Sequence, residues 1–144
     1  MTQHADIPDG YEVVGAEGGQ TSFEALVGPI LRKTGAPEGE AHWAFRVEQR
    51  HCNPYGMLHG GMLTTVADTM MGSLVFHAIG GAPCATIHLA TDFIGAAKAG
   101  DWVEGRATLV RKGRAVAFVQ AELKAGDKLL MTAQGAWAII GPRG

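Results

Sequence analysis

A single carboxylate, Asp68, stands in the middle of a long apolar part of this chain. From His51 to Thr91 the sequence reads HCNPYGMLHGGMLTTVADTMMGSLVFHAIGGAPCATIHLAT, and Asp68 is its one charged residue if histidine is counted as neutral. A carboxylate that loses its hydration is costly unless a partner replaces the water. We therefore consider two interpretations. Asp68 is a base or nucleophile at a functional site, or it lies on a solvated polar stripe of a helix together with Thr64, Thr65 and Thr69.

A group of four residues that precedes Asp68 in the sequence could assist such chemistry. In NPYGMLHGG, Asn53, His59, Gly60 and Gly61 stand just before the region that we predict to be helical. The N–H groups of a first helical turn lack helical partners and the helix dipole is positive there, so the Gly60 N–H could hold a developing oxyanion. Gly60 and Gly61 would also let a substrate approach the backbone closely. The alternative is that HGG is only a capping turn, with His59 either a loop side chain bonded to backbone or a base.

The segment that contains Asp68 is predicted to be one long helix. Two neighbouring rows of apolar residues recur at a spacing of four, which is the helical period. The rows are Met62, Val66, Met70, Leu74 and Leu63, Ala67, Met71, Val75. Two rows make more than one apolar stripe, so we expect this helix to be buried on most sides. The sequence GGAP at residues 80–83 ends it.

The flanking segments predict strands. Before the helix we predict a short helix capped by Thr21 or Ser22, a short strand at 30–33 and a strand at 40–50. After it come four segments of period two: CATIHLATDFIG, DWVEGRATLVRK, RAVAFVQAELKA and KLLMTAQGAWAII, the last three joined by turns at 112–114 and 124–128. We predict a loosely ordered arm over residues 1–20 and one domain over 21–144. The fold class is α+β, a curved antiparallel sheet wrapped around one long helix.

Composition excludes several classes of protein. A net charge of −2 and 18% charged residues do not favour binding to nucleic acid or to an anionic membrane surface. The apolar segment is interrupted by Asp68 and by GGAP, which argues against a membrane span. The two cysteines make no disulfide framework and the first residues do not resemble a signal peptide, so we predict a cytoplasmic protein. The spacing of His51, Cys52 and His59 fits no usual zinc site, and we predict no metal.

The stretch NPYGMLHGGMLTTVAD closely resembles the motif of the hotdog-fold acyl-CoA thioesterases of the PaaI-like, phenylacetate-pathway type. The order of predicted elements also matches, so the resemblance covers residues 28–140. It implies a sheet wrapped around a central helix and a homodimer, or a dimer of dimers, as the working unit. It also implies an acyl-CoA substrate and no separate cofactor, because coenzyme A is part of the substrate.

The resemblance further implies a role for each residue of the motif. Gly60 would supply the N–H that polarises the thioester carbonyl, and Asp68 would be the nucleophile or the general base toward water. Asn53 and His59 would shape the loop and help to orient the thioester or the water. Thr86, in the strand after the helix, falls where the family often has a hydroxyl residue, and here it is threonine instead of the more familiar serine.

The spacing of Gly60 and Asp68 adds a geometric constraint. Eight residues of helix span about 12 Å. A reacting carbonyl must lie about 3 Å from both the oxyanion donor and the attacking group, so one helix cannot present both to the same thioester. Two antiparallel helices related by a two-fold axis can, with Gly60 of one chain facing Asp68 of the other.

The phosphates of coenzyme A call for basic side chains. We predict that a set of four, which could equally be solvated turn residues, binds them: Lys98, Arg111, Lys112 and Arg114. Two other functions fit less well than hydrolysis. One is an acyl-CoA-binding hotdog protein without activity, and the other is a hotdog hydratase or dehydratase, whose catalytic histidine and acid follow a different pattern.

Overall fold

The computed structural model, which describes residues 7–15 and 21–140, is one antiparallel sheet with a long helix on its inner face. The strands are β1 (Tyr11–Val13), β2 (Leu31–Lys33), β3 (Glu40–Arg46), β4 (Cys84–Phe93), β5 (Trp102–Lys112), β6 (Val116–Ala125) and β7 (Lys128–Ile139), and the helices are α1 (Phe23–Val27) and α2 (Gly60–Ala78). The seven strands lie in the order β1-β2-β3-β5-β6-β7-β4. This confirms the predicted α+β hotdog architecture. No helix in the described ranges is both long and apolar enough to cross a membrane.

The period-two pattern explains how the sheet makes a core. In β6, Ala117, Val119 and Leu123 are buried against α2, while Phe118 and Gln120 between them point outward. The hairpins that join β5 to β6 and β6 to β7 fall at the predicted turns. The strands contribute large, fully buried side chains that face α2. They include Trp43, Phe45, Leu123, Leu130, Met131 and Trp137. The core therefore fixes α2 firmly against the sheet.

One face of α2 is covered only in part by the residues that the structure describes. Both predicted apolar rows are buried, from Met62 to Val75. The other face carries a stripe of small and polar residues that are only half-buried: Thr64, Thr65, Asp68, Thr69, Gly72 and Ser73. The prediction of a helix buried on most sides is therefore wrong for the chain by itself, and Asp68 is a half-buried acid on a polar stripe.

Strand β4 forms one edge of the described sheet, because it pairs with β7 and no other strand within residues 7–15 and 21–140 pairs with it. Its register shifts between Thr86 and His88, so Ile87 is an extra residue in the pairing. Cross-strand partners share a face. Thr86 lies opposite the buried Trp137, on the inner face, whereas His88 lies opposite Ala136 on the outer face. The bulge thus places Thr86 and His88 on opposite faces, although alternate residues of a regular strand share one face.

Three local predictions need correction or confirmation. Ser22 caps α1 by accepting from the Ala25 N–H, as predicted. The strand expected at 40–50 ends at Arg46, because Glu48 and His51 close a capping box around a short 3-10 turn. The arm over residues 1–20 is not loosely ordered throughout, since Tyr11–Val13 pairs with β2 as β1. The rest of that arm at 1–6 and 16–20, like residues 141–144, lies outside the described residues.

Candidate active site

The HGG motif builds the N-terminus of α2. His59 is the N-cap, and its Nδ1 accepts a hydrogen bond of 2.7 Å from the Gly61 N–H. A Cβ on residue 61 would stand 2.9 Å from that nitrogen, so glycine is needed for the cap to form. An imidazole whose Nδ1 accepts carries its hydrogen on Nε2. The capping alternative for His59 is therefore observed, and the Gly61 N–H is engaged by His59.

The Gly60 N–H belongs to the same first turn of α2. In the part of the chain that is described, no backbone or side-chain acceptor bonds to it. This is the usual condition of a first-turn N–H, which an incoming oxygen can satisfy. The ring of Phe93, at the end of β4, lies against Gly60: three ring carbons are 3.0–3.4 Å from the place where a Cβ on residue 60 would stand. Residue 60 is thus a free donor beside an aromatic ring.

The loop before α2 is held by Asn53. Its Oδ1 accepts from the N–H groups of Tyr55 and Met57, at 3.0 and 3.1 Å. Asn53 is thus bonded to two backbone positions of its own loop. Its Nδ2 group makes no hydrogen bond to any described residue and keeps two donors for a ligand.

A buried histidine, which sequence reasoning did not single out for a role in the site, fixes the position of the N-cap. His51 is 5% exposed. Its Nδ1 accepts from the Glu48 N–H, and its Nε2 donates to the Val27 carbonyl at 2.6 Å. Burial lowers the pKa of His51, which keeps it neutral and suited to both bonds. The His51 carbonyl in turn accepts from the His59 N–H at 2.9 Å, so this histidine anchors the turn that presents Gly60.

Asp68 and Thr86 meet, although 18 residues separate them. The Thr86 hydroxyl donates to Asp68 Oδ1 at 2.7 Å. Oδ2 of Asp68 has no partner among the described residues. The half-buried stripe of α2 and the inner face of β4 therefore hold a carboxylate with one oxygen fixed and the other available to water or substrate.

Cys84 is a further neighbour of Asp68 that the sequence did not single out. Its Sγ lies 3.6 Å from the Gly72 carbonyl, one turn after Asp68. Burial and then the nearby Asp68 charge raise the pKa of the thiol, so it stays protonated and is a poor nucleophile. The available signal was the period of β4, in which Cys84 and Thr86 point to the same face.

The predicted site residues form two separate groups within one chain. Gly60, Asn53 and His59 lie at the N-terminal end of α2, and Asp68 with Thr86 lies about 12 Å farther along it.

The predicted phosphate ligands are divided in the same way. Lys98 forms an isolated β-bridge with Met57, in the loop at the N-terminal end of α2. Lys112 donates a hydrogen bond from its Nζ to the Ala78 carbonyl, at the other end of α2. Arg111 and Arg114 belong to the same end as Lys112, since they adjoin it in the β5–β6 hairpin.

A groove of about 490 Å³ runs along the second half of the half-buried stripe, from Thr69 onward. Thr69, Gly72 and Phe76 of α2 form one side of it, and Val14 and Ser22 lie across from them. Such a volume is within the range of small-molecule sites. Among residues 7–15 and 21–140, no three His, Cys, Asp or Glu side chains come together as metal ligands.

Comparison with known proteins identifies the family of this chain. Residues 55–132 match the model of the thioesterase superfamily. Human acyl-coenzyme A thioesterase 13 is 31% identical over 126 residues, which are 86% of this chain and 88% of the human protein.

Two solved structures are also similar. Zebra fish thioesterase superfamily member 2 has a TM-score of 0.77 at 27% identity and covers 87% of this chain and 91% of its own. A mutant of the phenylacetic acid degradation protein PaaI from Thermus thermophilus has a TM-score of 0.73 at 27% identity. The match covers 82% of this chain and 98% of the PaaI chain.

Proposed function

Because this chain belongs to the thioesterase superfamily and is a PaaI-like hotdog thioester hydrolase, we propose that it hydrolyses acyl-CoA thioesters at a site shared by two copies of the chain. Gly60 of one chain polarises the thioester carbonyl, and Asp68 of the other acts on the carbonyl carbon or on the attacking water. The observation that carries this proposal is the hydrogen bond between the Thr86 hydroxyl and Asp68. It lies so far along α2 from the Gly60 N–H that one thioester cannot reach both groups of the same chain.

The spacing along α2 supports a two-chain site. Each chain separates its donor from its acid by about 12 Å, far more than the roughly 3 Å that a reacting carbonyl allows to each group. Two antiparallel α2 helices, packed by their uncovered stripes around a two-fold axis near Thr64, bring each Gly60 opposite the other chain's Asp68. This packing would also cover the half-buried stripe.

Strand β4 supports the same two-fold arrangement independently. It is a ten-residue edge strand that pairs with β7 on one side and with no described strand on the other, and its Ile87 is 58% exposed. Such an edge is a template for pairing with another strand. If two β4 strands pair antiparallel about Ala90, and Ile87 is again the extra residue in the pairing, Thr86 of one lies opposite Phe93 of the other. Thr86 contacts Asp68 of its own chain, and Phe93 contacts Gly60 of its own chain. This pairing of the strands therefore also brings Asp68 of one chain near Gly60 of the other.

The chemistry follows from these contacts. Thr86 holds one oxygen of the Asp68 carboxylate, so the other oxygen takes a proton from water as water attacks the thioester, or itself attacks the carbonyl carbon. The carbonyl oxygen becomes an oxyanion, which the Gly60 N–H stabilises. When the tetrahedral intermediate collapses, the C–S bond breaks and the thiolate of coenzyme A leaves. If water attacked, the thiolate takes up the proton that Asp68 had accepted from that water. If Asp68 attacked, the acyl group is left as a mixed anhydride on Asp68, and water then hydrolyses it, which restores the carboxylate and supplies the proton for the thiolate. The products are a free carboxylic acid and coenzyme A, and no cofactor is consumed.

Places for the two ends of the substrate can also be proposed. The groove beside Thr69 and Gly72 suits the acyl group. In the two-fold arrangement, the hairpin with Arg111 and Lys112 of one chain extends past the N-terminal end of α2 of the other. The two chains would then supply Lys98 and the hairpin cations to the same coenzyme A. A cytoplasmic location is part of the proposal, since coenzyme A thioesters are made and used there.

Release of thiol tests the proposed function. The purified protein is given a panel of acyl-CoAs with short-chain, medium-chain, long-chain and aryl acyl groups, and free thiol is measured with a chromogenic disulfide. We expect thiol and free acid in equal amounts from at least one class. Binding of acyl-CoA without release of thiol from any of them would instead indicate an acyl-CoA-binding protein and contradict the proposal.

A further inference from the structure

Phe93 is an aromatic side chain at the candidate site for which the reaction described above has no role. It is 56% exposed in the single chain, although its ring contacts Gly60. The ring carbons Cε1, Cζ and Cδ1 lie 3.0, 3.2 and 3.4 Å from the place of a Cβ on residue 60. Since a backbone nitrogen is about 2.5 Å from its own Cβ, the edge of the ring is within about 6 Å of the Gly60 nitrogen.

We propose that Phe93 is a positioning residue for hydrolysis, acting through the Gly60 N–H. Its ring is an apolar wall beside this donor, on the side of the residue where a side chain would otherwise stand. A wall in that place keeps water away from the N–H and leaves it for the carbonyl oxygen. A hydrogen bond to an oxyanion is stronger where water is excluded. This inference rests on the proposed function.

The same contact gives a physical reason for glycine at residue 60. The N–H of alanine is equivalent to that of glycine, and residue 60 lies in the regular first turn of α2, which alanine tolerates. The Cβ of an alanine would, however, press on Cε1 and Cζ of Phe93, the far end of a half-exposed side chain. Gly60→Ala therefore keeps the oxyanion donor and displaces the wall, which separates the two contributions.

The first experiment removes the wall. We expect Phe93→Ala to lower kcat about tenfold or more, with KM for the acyl-CoA changed by less than about threefold, because stabilisation of an oxyanion acts on the transition state. Phe93→Leu keeps part of the apolar wall and should lose less. The matched control is Phe118→Ala, an aromatic of 46% exposure on the outer face of β6. Unchanged kcat in Phe93→Ala, or a rise in KM alone, would overturn the inference.

The second experiment is a double-mutant cycle between Gly60 and Phe93. Leucine lacks both Cε1 and Cζ, so it leaves room for a Cβ on residue 60. We expect Gly60→Ala to lower kcat at least about fivefold in the wild-type background and by much less in the Phe93→Leu background. The same factor in both backgrounds would show that the ring is not the reason for glycine at residue 60.

Thermal unfolding of every variant accompanies both experiments, since a merely structural role of Phe93 would lower Tm and leave kcat of the folded enzyme intact. That result would overturn the inference. Wild-type thiol release is measured in the same assay. Its absence with every acyl-CoA would overturn the proposed function and this inference with it, whereas normal kcat in Phe93→Ala beside an active wild type would overturn only the role of Phe93.

Discussion

Replacement of Asp68 by asparagine separates the charge of this residue from its shape. Asparagine keeps an Oδ1 acceptor in the position that receives the Thr86 hydroxyl at 2.7 Å, so the link between α2 and β4 can persist. Asp68 is half-buried on a polar stripe, and the loss of its charge should change the free energy of unfolding by less than about 1 kcal/mol. Activity should respond differently. A base or nucleophile contributes about 10²-fold or more, so kcat should fall at least that far, which raises the barrier by about 2.7 kcal/mol.

The assay for this variant is thiol release at saturating acyl-CoA, together with thermal unfolding. Asp92→Asn is the matched control. Asp92 is an exposed acid of β4, the strand that also carries Thr86, and it lies opposite Thr132 of β7 on the outer face of the sheet. It should keep wild-type turnover. If Asp68→Asn hydrolyses its substrate at close to the wild-type rate while folded, the carboxylate does not perform the reaction and the role given to Asp68 is wrong.

Three further predictions concern other residues of the candidate site and its surroundings. Thr86→Val should lower kcat about tenfold or more while Thr86→Ser restores most of it, and equal activity of the two would show that the hydroxyl is not used. Reversing the charge of Lys98, Arg111 or Arg114 should raise KM more than it lowers kcat, and added salt should do the same, whereas a KM that ignores both would place the phosphates elsewhere. The pKa of His51 is lowered by burial, so its contribution to stability is complete above the unfolded value of about 6.5 and is lost as pH falls from there toward the folded pKa. Denaturant unfolding between pH 5 and pH 8 should show this loss, and a curve unchanged by His51→Asn would contradict it.

Much of the fold was predictable because period and turn chemistry were unambiguous. The i+4 rows around Met70 fixed α2, and the hairpin turns after Lys112 and after Ala125 fixed the later strands. The failures have local physical causes. The three residues of β1 carry no alternation of their own and form a strand because β2 offers them an edge. The extra residue at Ile87 shifts the pairing of β4, and no periodicity in the sequence reveals a bulge.

The site was predictable as a motif but not as a set of contacts. Period and spacing identified Asp68 and Gly60, and the observed contacts give each a setting. The Asp68–Thr86 bond joins residues 18 apart. Three neighbours were missed: His51, Cys84 and Phe93. His51 holds the N-cap of α2, Cys84 lies beside the Asp68 carboxylate, and Phe93 packs against Gly60. These are tertiary contacts, which residue type alone does not indicate.

The central claim, that one site takes its donor and its acid from different chains, is tested most directly by mixed dimers. Asp68→Ala removes the acid. Gly60→Pro removes the N–H at a first helical position, where proline is tolerated and where the preceding His59 already has the extended conformation that proline requires, with φ −66° and ψ 133°. Each variant alone should be inactive and should remain an oligomer of normal stability.

Mixing the two variants gives the decisive result. After random subunit exchange about half of the dimers are mixed, and each mixed dimer has one site with both Gly60 and Asp68 intact. Thiol release should therefore return to about a quarter of the wild-type level, in step with exchange measured by differently tagged chains. If both variants stay inactive after exchange has been demonstrated, each site is built within one chain and the account is wrong.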